Sequence, residues 1–159
     1  MAPAGSFESL AAALQGGADS VYFGVGKLNM RSRATANFAE EDLPEIVARC
    51  HEAGAKAYLT LNIIVYDEEL EAVRNLCAAA KAAGVDAVIA SDLAVITHAH
   101  SIGLEVHMSV QANVCNMASV RFYAQYADVV VLARELTLAQ IRRIIDGIRN
   151  EEICGPSGD

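Results

Sequence analysis

The sequence predicts an α/β fold made of repeated strand–helix units, and three observations carry that reading. Five stretches share one form: GGADSVYFG, AGAKAYLTLN, AGVDAVIASD, IGLEVHMSVQ and YADVVVLARE. Each passes from a small-residue turn through a charged residue into a short apolar run, then ends on glycine or polar residues. The segments between them have helical period, with apolar residues three and four apart. The strands themselves are nearly continuous hydrophobic runs, as parallel strands buried on both faces should be. A closed eight-stranded barrel takes about 250 residues, whereas these 159 residues supply five strands and a stub. The expectation is therefore a partial (β/α) barrel repeat with parallel strands, truncated before closure. An open doubly wound sheet is the alternative.

In chain order the expected elements are a strand stub at 1–3, helix 6–16, strand 20–25, helix 40–53, strand 56–62 and helix 67–83. Strand 86–91, helix 93–101, strand 104–109, helix 117–126, strand 128–133 and helix 137–150 follow. Residues 1–150 form the domain and 151–159 a tail. Ser6, with Ser9 three residues on, starts the first helix, and Thr137 caps the last. Gly16–Gly17, Gly54, Gly84 and Gly103 end four helices, where a left-handed residue is needed. Leu43, Ile46, Val47 and Cys50 make one inward stripe; Leu70, Val73, Cys77 and Ala80 make another. Leu138, Ile141, Ile145 and Ile148 are expected to make a third. Each large aliphatic side chain so buried contributes about 1.5–3 kcal/mol.

Composition narrows the function classes. With 53% hydrophobic and 20% charged residues the chain is globular rather than disordered. Its net charge of -8 disfavours indiscriminate binding to nucleic acid or anionic membrane. No apolar run approaches the roughly 18 residues of a spanning helix. The opening MAPAGSFESLAAAL lacks a basic leader and carries Glu8, so a cytoplasmic location is expected. Cys50, Cys77, Cys115 and Cys154 match no zinc or disulfide spacing. Cys50 and Cys77 fall on apolar helix faces and read as inert. Cys115 lies in a polar segment with no basic neighbour to favour its thiolate. His98 and His100, two apart on a helix, point different ways and make no metal pair. His51 reads as solvated, and His107 as a core or pocket histidine. No metal ligands and no catalytic residue are assigned.

The polar residues gather at the C-terminal ends of the strands, where sites form in parallel α/β architectures. Those ends carry Gly24, Asn62, Ser91 with Asp92, Ser109 with Gln111 and Asn113, and Arg134 with Glu135. The segment SVQANVCNM holds four uncharged hydrogen-bonding side chains, more than a turn requires. One reading makes them a wall of a shared polar pocket. The other makes these residues ordinary loop polarity, with Asp92 and Asn116 capping the next helices. The loop GKLNMRSRATAN adds Lys27, Arg31 and Arg33, whose planar guanidinium heads suit carboxylate or phosphate. Gly24-x-Gly26-x-x-Asn29 lacks the third glycine of a dinucleotide fingerprint, and GxSxG, HExxH and P-loop patterns do not occur.

Seven stretches together resemble peptidase family U-32, often named collagenase-like protease. They are APAGS (2–6), GGADSVYFG (16–24), NMRSRATANF (29–38), YLTLN (58–62), SDLAV (91–95), HMSVQANVCN (107–116) and VVLARELTL (130–138). The resemblance implies the N-terminal part of a TIM-barrel-like catalytic domain. Members of that family carry either a peptidase name or a role in oxygen-independent hydroxylation of transfer RNA, ribosomal RNA or a quinone precursor. The RNA-hydroxylating members are linked to prephenate, a small dicarboxylate. The family commonly holds an iron–sulfur cluster through cysteines beyond the region covered here, so no cofactor is expected on this chain itself.

The resulting expectation is the substrate-pocket half of an RNA-modifying enzyme. Arg31 and Arg33 would be anion ligands, Gln111 and Asn113 polar ligands, and Asn62, Asp92, Arg134 and Glu135 supporting residues. Arg134 and Glu135 have the alternative of a structural ion pair. Arg142, Arg143 and Arg149 form either an RNA-facing patch or a solvated helix face. The rival functions are a collagenase-like peptidase and a non-catalytic scaffold subunit. Open sheet edges lead to the further expectation of a homo-oligomer, or of completion by a missing C-terminal part.

Overall fold

The computed structural model describes residues 1–29 and 38–158. Its strands are β1 (Ala2–Ala4), β2 (Ser20–Phe23), β3 (Lys56–Leu61), β4 (Ala87–Ala90), β5 (Val106–Met108) and β6 (Val129–Val130). All pair parallel, in the order in which they occur in the chain. That order decides between the two expected architectures. A doubly wound sheet reverses its strand order at a switch point, whereas here every crossover steps to the next neighbour. Right-handed crossovers that all step the same way put the helices on one face, as in a barrel wall. Among the described residues, β1 and β6 remain open edges.

The helices are α1 (Phe7–Gln15), α2 (Leu43–Glu52), α3 (Leu70–Ala83), α4 (Leu93–Ser101), α5 (Met117–Tyr123) and α6 (Leu138–Asn150). Single 3₁₀ turns, Glu40–Asp42 and Asp67–Glu69, lead into α2 and α3. The Ser6 box is complete: Ser9 N–H donates to Ser6 Oγ at 3.3 Å, and Ser6 N–H donates to Ser9 Oγ at 3.0 Å. Thr137 and Gln140 form a second reciprocal box at α6. Gly54, Gly84 and Gly103 sit at φ of 72°, 81° and 70°, the left-handed values that stop a helix.

The core lies between sheet and helices. Val21, Phe23, Leu59, Val88, Val106 and Met108 point from the strands into it and are almost wholly buried. Leu43, Ile46, Val47 and Cys50 meet them from α2; Val73, Leu76, Cys77 and Ala80 do so from α3. Strand alternation sends Tyr22, Tyr58, Thr60 and His107 to the other face. A closed barrel usually fills that side with Val, Ile and Leu. Here it is largely polar and aromatic.

The last helix departs from expectation. Leu138 is 85% exposed and Ile145 40%, while Ile144 is buried. Ile144 packs with Val114 and Val120 in a small second cluster. Apolar spacing marks a stripe but not the neighbour that covers it. Because α6 sits at the open edge over a two-residue strand, only one side of its apolar surface finds cover. Strand 128–133 is likewise shorter than expected, with Val129–Val130 in the ladder and an isolated bridge from Leu132 to Val114. Helix 117–126 ends at Tyr123.

Candidate functional site at the C-terminal rim

Parallel pairing brings the C-terminal ends of all six strands to one rim. A cleft of about 540 Å³ opens there, lined by Asn62, Ile63, Ile64, Tyr66, Ser91, Asp92 and Gln111. Three sequence-predicted site residues, from the ends of β3, β4 and β5, therefore share one concavity. Asn62 continues β3 and its Nδ2 donates to Ser109 Oγ at 3.4 Å. The same hydroxyl, on a residue only 2% exposed, accepts the Gln111 N–H at 3.3 Å. Ser109 is thus a buried post between two walls of the cleft.

The segment after β5 now divides by role. Ser109 caps a single 3₁₀ turn, Val110–Ala112. Asn113 takes φ of 50°, a left-handed conformation that asparagine tolerates better than most residues. Asn116 caps α5, accepting the Ser119 N–H at 2.9 Å. Gln111 is left over: its side-chain amide makes no hydrogen bond among the described residues, and it faces the cleft. Three of the four polar side chains or their backbones build the turn, and one is available to a ligand.

Asp92 belongs to the frame of the cleft. Its Oδ1 accepts the Ala94 N–H at 2.8 Å, capping α4, and its Oδ2 accepts the Val65 N–H at 3.1 Å. A carboxylate so engaged holds the loop after β3 against the start of α4. Asn113, Arg134 and Glu135 are exposed and lie outside the cleft lining. Arg134 and Glu135 occupy the turn after β6 and form no ion pair with each other, which removes the alternative reading of a structural pair between them. Arg31 and Arg33 lie outside the described residues.

Nearby, Gly24 permits a close approach. A Cβ there would fall 2.4 Å from the side chain of Asn29, which is fully buried and donates to the Val25 carbonyl at 3.0 Å. Sequence reading missed the apolar half of the cleft. Ile64 and Tyr66 are 72% and 62% exposed. They read as the run-in to a helix, and only their unusual bulk in a loop signals a role. His51 is exposed, as expected of a solvated residue, and also contacts Asp86 Oδ2 at 2.9 Å, an oxygen that accepts the Ala57 N–H.

The cysteines do not gather. Cys50 and Cys77 are buried in α2 and α3, where burial pushes each thiol up to about 11. Cys115 and Cys154 are exposed. Among the described residues no three or more of His, Cys, Asp or Glu come together as metal ligands. These residues do not fit an iron–sulfur cluster. Among them, too, no helix is long and apolar enough to cross a membrane.

Comparison with known proteins places this geometry. Residues 5–153 match the model of peptidase family U32. The chain is 51% identical over 158 residues to a collagenase of Porphyromonas gingivalis, covering 99% of this chain and 38% of that protein. It is 35% identical over 147 residues to tRNA hydroxylation protein P1 of Bacillus subtilis, covering 91% of this chain and 35% of that one. The chain thus spans well under half the length of these relatives. The solved structure of the U32 peptidase Mk0906 superposes with a TM-score of 0.74 at 16% identity, over 91% of this chain and 63% of that one, and shares the fold. The chain belongs to peptidase family U32.

Proposed function

We propose that this chain is the substrate-pocket portion of an RNA-modifying U32 enzyme that hydroxylates a tRNA uridine without oxygen, using prephenate. The observation that supports this most is the rim cleft with an unengaged amide, Gln111, beside Asn62 and Ser91. Such a cleft suits a small multi-oxygen ligand held by hydrogen bonds. Its described lining carries no cation, and charge balance for a dicarboxylate falls to Arg31 and Arg33, which follow β2 in the sequence. Asn62 and Asp92 frame the cleft, while Asn113, Arg134 and Glu135 stand further along the rim toward the RNA. The iron–sulfur cluster of the family would belong to the remainder of a longer protein. The open edges at β1 and β6 would be covered by that remainder or by a second copy.

Peptide hydrolysis is the second reading, favoured by the 51% identity to a protein named collagenase. It requires an activated nucleophile or a metal-bound water. The described cleft lining offers two hydroxyls, Ser91 and Tyr66, with no histidine in the lining to activate either.

The test is nucleoside mass spectrometry of tRNA from a strain lacking the gene. Hydroxylated uridine should disappear, return with the intact gene, and return only weakly with Gln111→Ala. Unchanged tRNA, together with peptide cleavage that Gln111→Ala abolishes, would move the assignment to the peptidase.

A further inference from the structure

The face of the sheet turned away from the helices carries a second polar group, separate from the rim. His107 on β5 is 6% exposed at its side chain, and its Nε2 lies 2.8 Å from Glu105 Oε1. Its ring meets Tyr58 edge-on with centroids 4.7 Å apart. The two rings meet diagonally across β4, where Ala87 pairs with Tyr58 and Ile89 with His107. A carboxylate can only accept, so the His107 proton facing Glu105 sits on Nε2. In the neutral ring this leaves Nδ1 as the acceptor, and Nδ1 makes no hydrogen bond among the described residues.

The Tyr58 hydroxyl also lacks a partner there, although the residue is only 8% exposed. No fully buried side-chain nitrogen or oxygen in the described residues goes unpaired. Neither atom is therefore fully enclosed by the described residues. A buried residue with one open polar atom is a recognition element in waiting, and two adjacent ones define a subsite. Burial pushes the Tyr58 phenol up, which keeps its proton available for donation.

We propose that Tyr58 and His107, positioned by Glu105, form a subsite for an uncharged donor–acceptor group such as a carboxamide or an alcohol. His107 Nδ1 accepts from the ligand N–H or O–H, and Tyr58 donates to its oxygen. The Glu105 carboxylate beside them disfavours an anion, so this subsite differs in ligand class from the rim cleft. His107 lies two residues before Ser109 on β5, about 7 Å below the rim. One ligand can span both, with its anionic end at the rim and an uncharged group at the subsite.

The test is NMR of the chain labelled with ¹⁵N-histidine, using acetamide as probe and acetate as control. His107 should show a protonated Nε2 and an unprotonated Nδ1, and Nδ1 should respond to acetamide and not to acetate. Tyr58→Phe should keep the tautomer and weaken the acetamide response several-fold. Glu105→Gln should remove the tautomer bias while the other histidines stay unchanged. A proton on Nδ1, an equal response to acetate, or no response to acetamide across the titration would overturn the proposal. Tyr58→Phe leaves the fold's backbone bonds intact and decides the matter even where Glu105→Gln fails to fold.

Discussion

Asp92 and Val65 are 27 residues apart in sequence, yet the Asp92 carboxylate accepts the Val65 amide at 3.1 Å while capping α4 with its other oxygen. The cleft owes its shape to this contact, because the Val65 loop carries Ile64 and Tyr66 on its lining. Asp92→Ala removes a cap and a brace at once. It should cost about 1–2 kcal/mol by the capping scale, read as a lower urea midpoint with unchanged slope. Asp92→Asn keeps an acceptor and should cost less.

Gln111 behaves in the opposite way. Its side chain is exposed and supports nothing in the fold. Gln111→Ala should change stability by less than about 0.5 kcal/mol, while weakening any ligand held in the cleft. Calorimetric titration beside a denaturant curve checks the separation. A large stability loss would mean that the amide is structural.

Gly24→Ala puts a methyl group 2.4 Å from the buried Asn29 side chain. Asn29 cannot move outward without giving up its bond to the Val25 carbonyl. The expected cost is about 1–3 kcal/mol, the range for overpacking a tight core, measured by thermal or urea unfolding.

The cysteines give a pH prediction with a fixed sign. Burial raises Cys50 and Cys77 from an ordinary 9.0 to about 11 in the folded chain. Between those values the unfolded chain releases thiol protons that the folded chain retains, so stability falls as pH rises through that window. Below about pH 9 this contribution is fully present. Native protein should expose two reactive thiols, Cys115 and Cys154, to a thiol reagent near pH 8, and all four only in denaturant. Cys50→Ala with Cys77→Ala should flatten the alkaline loss.

How much was legible in the sequence varies with what fixes each feature. Strand–helix alternation and the stripe Leu43–Cys50 are local patterns that burial enforces, and they appear as read; in α3 the stripe keeps Val73, Cys77 and Ala80, while Leu70 is half-buried and Leu76 joins the core. The outward turn of Leu138 and Ile145 was not legible, since it depends on which neighbour covers an edge helix. Asn62, Asp92 and Gln111 converge because parallel strands share a rim, a consequence of topology that repeated units announce. That Asp92 caps α4 was one of the two readings the sequence offered, but that its second oxygen takes the Val65 amide while the Gln111 side chain stays unengaged follows from distances no spacing encodes. The meeting of Tyr58 and His107 was hidden for a similar reason, because it is a diagonal contact across β4 that depends on the register of three strands.

The most direct measurement is an NMR titration of the amide-labelled chain with prephenate. Binding at the rim should perturb Asn62, Ser91 and Gln111 together, and Arg31→Ala with Arg33→Ala should weaken it at least tenfold. Resonances that stay still at all three positions, or that move only at the opposite end around Gly103 and Leu104, would contradict the account.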